Sequence, residues 1–98
     1  MAEHRIFVHG ELDVATAPEL RADLQLAISD HVSHVLIDCS DLTFIDSSGI
    51  RVLVEAHQAL ELQGRHMLIM NVGPGPGRVF EVLGLTDLLR YQRRLTPK

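Results

Sequence analysis

Three short apolar runs, Ile6-Phe7-Val8, Val35-Leu36-Ile37 and Met67-Leu68-Ile69-Met70, are each followed by a segment whose apolar residues recur every three or four positions. Apolar runs this short read as buried strands, and the recurrence behind each reads as an amphipathic helix. Val35-Leu36-Ile37 does not alternate with polar residues, which suits a strand covered on both faces by helices. A strand–helix order repeated three times with short connections leaves few choices: an α/β domain whose sheet is built by mainly parallel, right-handed crossovers. In such sheets the working surface lies beyond the carboxyl ends of the strands. Residues 10–13 and 42–48 are the loops expected there.

The first strand is expected from Arg5 to His9, stopping at Gly10. Thr16, followed three residues later by Glu19, has the form of a capping box, with Pro18 in the first turn of the helix that begins there. Leu20, Leu24, Ala27 and Ile28 form its apolar stripe, and Arg21, Asp23 and Gln25 face water. Asp38 to Asp41 end the second strand, and residues 42–46 read as a short loop anchored by Phe44 and Ile45. The second helix runs from Ser47 to about Leu62, with Gly64 as its C-cap. Gly49, Leu53, Ala56 and Leu60, flanked by Ile50 and Val54, make its buried face, while Arg51, Glu55 and Gln58 fall on the wet one. The third strand spans His66 to Val72. Gly73-Pro74-Gly75-Pro76-Gly77 reads as a proline-stiffened turn into a third helix with Val79, Phe80, Val82 and Leu83 as its apolar residues. Gly84 ends that helix, and Thr86 caps one last turn through Leu89.

Ninety-eight residues make one domain, 1–98. Nine Lys and Arg stand against 13 Asp and Glu, a net charge of −4. The one basic stretch is the C-terminal tail, residues 91–98 together with Arg90, so no phosphate-binding face for nucleic acid is expected. No apolar stretch is long enough to cross a bilayer and no signal sequence opens the chain, which points to a cytoplasmic protein without membrane insertion. Cys39, the single cysteine, cannot form an internal disulfide and reads as a buried, inert thiol just after the second strand. His31 and His34 share a loop, and His4, His9, His57 and His66 are scattered. None has a partner at metal-ligand spacing, so surface histidines, no metal and no cofactor are expected.

Asp46-Ser47-Ser48-Gly49 stands where a loop meets a helix. A hydroxyl there lies beside unpaired N–H groups at the positive end of the helix dipole, a place that tolerates a phosphate. Simple capping by Asp46, Ser47 or Ser48, with Gly49 allowing close packing, accounts for the same four residues. Residues 73–77 are no P-loop, because Arg78-Val79 stands where a Lys-Ser/Thr pair is required. Ser47 has neither a recognisable general base nor the Gly-x-Ser-x-Gly frame of a hydrolase.

Read together, Gly10-Glu11-Leu12-Asp13, Ala15-Thr16-Ala17-Pro18, Val35-Leu36-Ile37-Asp38 and Leu42-Thr43-Phe44-Ile45-Asp46-Ser47-Ser48-Gly49 occur in a fixed order that resembles the STAS domain of bacterial anti-sigma factor antagonists. The likeness runs over residues 5–90 and includes the Gly-rich turn and Arg78-Val79-Phe80 through Leu83-Gly84-Leu85. It implies a single α/β STAS domain with a mainly parallel or mixed central sheet of about four strands and three to four helices packed on it, and a binding module with no catalytic activity of its own. The unphosphorylated form binds an anti-sigma factor of the serine-kinase type and releases a sigma factor; phosphorylation by that kinase breaks the complex and a phosphatase restores it. The resemblance puts the phosphorylation on Ser47, with Asp13, Asp46, Ser48 and Gly49 as its neighbours. Arg51, Glu55 and Gln58 are the candidate docking residues around it. Relatives of this kind begin with a further strand, so here an exposed sheet edge is expected, through which two copies can pair. Two other readings are a STAS accessory subunit of a transporter ATPase, and a nucleotide-binding protein or enzyme using Ser47 or the Gly73 to Gly77 turn.

Overall fold

The computed structural model describes residues 3–30 and 34–93 and gathers the three expected strands, with a fourth, into one parallel sheet. His31 and tail residues 94–98 lie outside the described residues. The elements are β1 (Glu3–Leu12), α1 (Ala17–Ser29), β2 (His34–Ile45), α2 (Ser47–Leu62), β3 (His66–Val72), α3 (Pro74–Val82), α4 (Leu85–Leu88) and β4 (Arg90–Arg93). Order in the sheet is order in the chain, β1-β2-β3-β4, which leaves β1 and β4 as its edges.

The register divides the sheet into two unlike faces. Ile6, Ile37, Ile69 and Tyr91 are partners along one row, and the isoleucines are buried. They join one core with Leu20 and Leu24 of α1, Leu53 and Leu60 of α2, Phe80 of α3 and Leu85 of α4. Each such aliphatic side chain taken from water contributes about 1.5–3 kcal/mol. The neighbouring rows, Arg5-Leu36-Leu68-Arg90 and Phe7-Asp38-Met70, point the other way. Leu36, Leu68 and Met70 are only half-buried and Phe7 is 53% exposed. The helices therefore cover one face, not both; a run of three apolar residues is compatible with one deep face and one shallow one.

Several local readings change for identifiable reasons. β1 does not stop at Gly10 but passes through it to Leu12, because Gly10 takes φ 65° and the register shifts there, as in a bulge. β2 likewise continues past residues 38–41 and takes up 42–45, which were expected as loop, since the lengthened β1 supplies partners for Leu42, Phe44 and Ile45. Thr16 does not close a capping box: its hydroxyl donates to the Glu11 carbonyl at 2.8 Å and accepts from the Asp13 N–H at 2.9 Å. Gly73 is itself the N-cap of α3, so residues 74–77 belong to the helix and not to a turn before it. Pro74 and Pro76 fit because the first-turn N–H groups have no helical partner anyway. Gly84, at φ 71°, precedes α4 as its N-cap, in place of Thr86. Arg90–Arg93, expected in or beside the tail, forms β4, held by Tyr91 tilted against Phe80 at 5.2 Å. His34 opens β2 and stacks on His66 at 5.2 Å. His57, expected at the surface, is buried on the Leu53 stripe of α2, with Nδ1 3.9 Å from Glu61 Oε2.

Cys39 lies inside β2, buried, and burial followed by the nearby Asp38 charge pushes its thiol up to about 12, which keeps it unreactive. Asp38 is a buried carboxylate on the shallow face of the sheet. Burial alone would raise its pKa. The Ser40 N–H (3.0 Å) and hydroxyl (2.8 Å), the Asn71 amide (3.2 Å) and the Arg5 guanidinium (3.6 Å) outweigh it and hold the group below its ordinary 3.8. A carboxylate depressed in the fold contributes stability that is complete above the unfolded value and lost as pH falls through the folded one. Asp38→Asn should therefore destabilise the protein at neutral pH, and its gap from wild type in urea midpoints should close below pH 3.8. A gap that stays constant from neutral pH to pH 3 would refute this assignment.

Candidate functional site

Two loops at the carboxyl end of the sheet converge because β1 and β2 end side by side, Leu12 against Ile45. After Leu12 the chain turns sharply. Asp13 Oδ1 accepts from the N–H groups of Ala15 (3.0 Å) and Thr16 (3.2 Å), and its carbonyl accepts from Ala17 at 2.7 Å, which launches α1. After Ile45, Asp46 adopts an extended conformation and caps α2: its Oδ1 accepts from the Ser48 N–H at 2.9 Å and its carbonyl from Ile50 at 3.0 Å. The Asp46 N–H donates to the Leu12 carbonyl at 3.2 Å, tying the two turns together.

Ser47 is the first residue of α2 and is exposed, and its hydroxyl has no hydrogen bond among the described residues. Ser48 is half-buried and Gly49 buried. A Cβ on Gly49 would lie 2.5 Å from Leu12 Cγ and 3.1 Å from Ile45 Cγ1, so the absent side chain is what lets α2 start directly against the strand ends. The close-packing role of Gly49 and the capping role of Asp46 are thus both present, and Ser47 is left free of either task.

Ser47 and Ser48 open onto a cleft of about 290 Å³ shared with Val14, Ala17, Pro18, Arg21 and Arg51. Arg51 stands one helical turn beyond Ser47, and Glu55 one turn beyond Arg51, so the three form a stripe along α2. All three are exposed, as is Gln58. Arg21 reaches across from α1 to Glu55, Nη1 to Oε1 at 2.5 Å. With both side chains about half exposed, that ion pair is worth at most about 1 kcal/mol and exchanges readily. The lining offers two guanidiniums and two hydroxyls, with no imidazole or carboxylate among the described residues.

Of the residues singled out in the sequence, Ser47, Asp46, Ser48, Gly49 and Arg51 come together here, with Glu55 and Gln58 on the same helix. Asp13 is adjacent through the Leu12–Asp46 bond, yet its carboxylate is engaged by its own turn. Arg21 and Val14 were missed. Arg21 reads in sequence only as a solvated helix position, and its approach to α2 is a product of helix packing. Val14, 74% exposed at the turn, breaks no sequence pattern. In the Gly73 to Gly77 segment Pro74 and Pro76 lack N–H groups and the Gly77 N–H is donated to the Gly73 carbonyl at 2.9 Å, so few N–H groups remain there to hold a phosphate.

Residues 5–96 match the STAS domain family. The chain belongs to that family. Among STAS proteins it is 33% identical over 86 residues, 88% of this chain and 80% of that protein, to the anti-sigma-B factor antagonist of Staphylococcus aureus. It is also similar to the anti-sigma factor antagonist SpoIIAA in its unphosphorylated form, with TM-score 0.77, 27% identity and coverage of 89% of this chain and 76% of that one. The phosphorylated form of SpoIIAA from Bacillus gives TM-score 0.69 at the same 27% identity, covering 89% and 79%. Within this STAS domain, no helix among the described residues is long and apolar enough to cross a membrane.

Proposed function

We propose that this STAS domain is an anti-sigma factor antagonist, a binding module gated by phosphorylation of Ser47. The observation that carries the reading is the free, exposed Ser47 hydroxyl at the head of α2, beside an aspartate already committed to capping. The unphosphorylated form binds an anti-sigma factor, so that a sigma factor is released in the cytoplasm. Val14 and Arg51 flank the hydroxyl, and Glu55 and Gln58 extend the contact surface along α2. The anti-sigma factor, acting as a serine kinase, transfers the γ-phosphoryl group of ATP to Ser47 Oγ; ADP leaves and the hydroxyl proton goes to solvent. A phosphatase hydrolyses the ester and resets the module. Ser47 is substrate here, not catalyst.

The phosphate adds a charge of about −1.5 to −2, beside Asp46 and close to Asp13. A partner packed over Ser47 then meets bulk, a desolvated dianion and acidic repulsion, and like-charge juxtaposition at an interface costs several kcal/mol. Affinity should fall by about a hundredfold or more. Incubation with a kinase-type anti-sigma factor and ATP should give a single phosphoryl group that mass spectrometry maps to Ser47. Pull-downs should recover the partner with wild type and Ser47→Ala, and lose it with Ser47→Asp and the phosphorylated chain. Phosphoryl incorporation into Ser47→Ala at the wild-type level, or undiminished binding by the phosphorylated chain, would remove the reading.

A further inference from the structure

Arg21 and Arg51 enter the Ser47 cleft from two different helices, α1 and α2, and both are exposed. Arg51 has no ion pair among the described residues, although the chain as a whole is acidic. Arg21 is paired, but only with Glu55, in a half-exposed contact further along the stripe that begins at Ser47. The acidic groups nearby are already engaged: Asp46 accepts from the Ser48 N–H, and Asp13 from the N–H groups of its own turn. The cleft therefore pairs one modifiable hydroxyl with two guanidiniums and leaves no carboxylate between them.

We propose that once Ser47 carries a phosphate, Arg51 and Arg21 clasp it, and that Arg21 leaves Glu55 to do so. The inference rests on Ser47 as the modified residue and adds what the modification does within the molecule. A phosphate offers three acceptor oxygens and up to two charges, whereas Glu55 offers two oxygens and one charge. Guanidinium groups bind either in a bidentate fork, so the exchange trades a weaker partner for a stronger one. Arg51 lies one turn from Ser47 on the same helix face, the spacing at which side chains meet. Two consequences follow. The phosphorylated state is held in one orientation inside the cleft, and Glu55 is released as a bare carboxylate two turns away. Phosphorylation then changes the docking surface at Glu55 as well as at Ser47. Arg21 also lines the neighbouring apolar groove with Leu24, Ile28, Val52 and Ala56, so its departure uncovers one end of that groove.

The test uses the full chain with phosphoserine installed at position 47 during synthesis, so no kinase is involved. The phosphorus resonance is followed through a pH titration. A free phosphoserine titrates near about pH 6. The clasp should lower this by about half a unit to one unit at low salt, a shift that shrinks in high salt. R21Q and R51Q should each recover part of the shift, and the double variant all but the part due to the α2 N-terminus; both positions are exposed, so the fold is retained. E55Q, which releases Arg21 in advance, should deepen the shift. A titration midpoint at or above 6 in the unsubstituted chain, or one that R21Q and R51Q leave unmoved, would overturn the clasp. A kinase that fails to modify Ser47 would instead sink the switch and leave this titration unaffected.

Discussion

Gly49→Ala should lower the melting temperature by about 5–15 °C and weaken partner binding, although alanine is the better helix former. Two effects oppose each other. Alanine inside a helix gains about 1 kcal/mol over glycine. The new methyl group, however, would lie 2.5 Å and 2.7 Å from two carbons of Leu12 and 3.1 Å from Ile45, and both neighbours are buried to within 2%. Overpacking of that kind costs about 1–3 kcal/mol, and contacts this short belong at its upper end, so the loss wins. The strain has one direction of relief, which is to lift the head of α2 from the ends of β1 and β2. That movement strains the Asp46–Leu12 hydrogen bond and displaces Ser47. Thermal melts of Gly49→Ala, Leu12→Ala and the double variant check the argument. Leu12→Ala should cost less in the Gly49→Ala background than in wild type, because it removes the atoms in collision. Strictly additive costs, or a Gly49→Ala protein as stable as wild type, would show that the helix and strands do not meet as described.

Phe80→Ala should be the most destabilising single truncation in the C-terminal third, at about 3–5 kcal/mol. Phe80 is fully buried in the common core and packs on Tyr91, the β4 residue that is partly buried against that core. β4 itself is four residues long with the other three exposed; besides its ladder with β3 it has the ion pairs Arg90–Glu61 and Arg93–Glu81, which solvent screening leaves weak. Against a total stability of about 5–15 kcal/mol, the loss is a large fraction of the whole. Amide exchange should show β4 and α4 opening first, before β1 and β2, which share the longest ladder in the sheet. A loss under about 1 kcal/mol, or exchange that accelerates equally in all strands, would contradict the packing.

The alternation of strands and helices is legible because hydrophobic spacing reports it directly, and the starts of α1 and α2 carry proline and aspartate signals that the structure retains. What escapes is decided between segments. β1 and β2 extend into stretches rich in Asp, Glu and Gly because each strand, once lengthened by the bulge at Gly10, satisfies the other's backbone groups; pairing outweighs composition. β4 is polar at three of four positions and packs a single side chain, Tyr91, against the core, so no local pattern announces it. The apolar run at residues 35–37 reports burial but not its depth on each face. In the site, Asp46, Ser47 and Gly49 belong to one contiguous motif and can be read together. Arg21 and Val14 come from the preceding helix and turn, and only the meeting of α1 with α2 brings them to the serine.

Because all four strands run in the same direction, the molecule has two unlike poles. One gathers the turn after β1, the head of α2 and the serine; the other holds the beginnings of the strands. β1 alone, ten residues at roughly 3.3 Å each, separates the poles by about 33 Å. A fluorophore, a solid support or a companion domain attached ahead of Glu3 is thereby kept at the opposite pole, where it can report or anchor the protein without crowding whatever lands on Ser47.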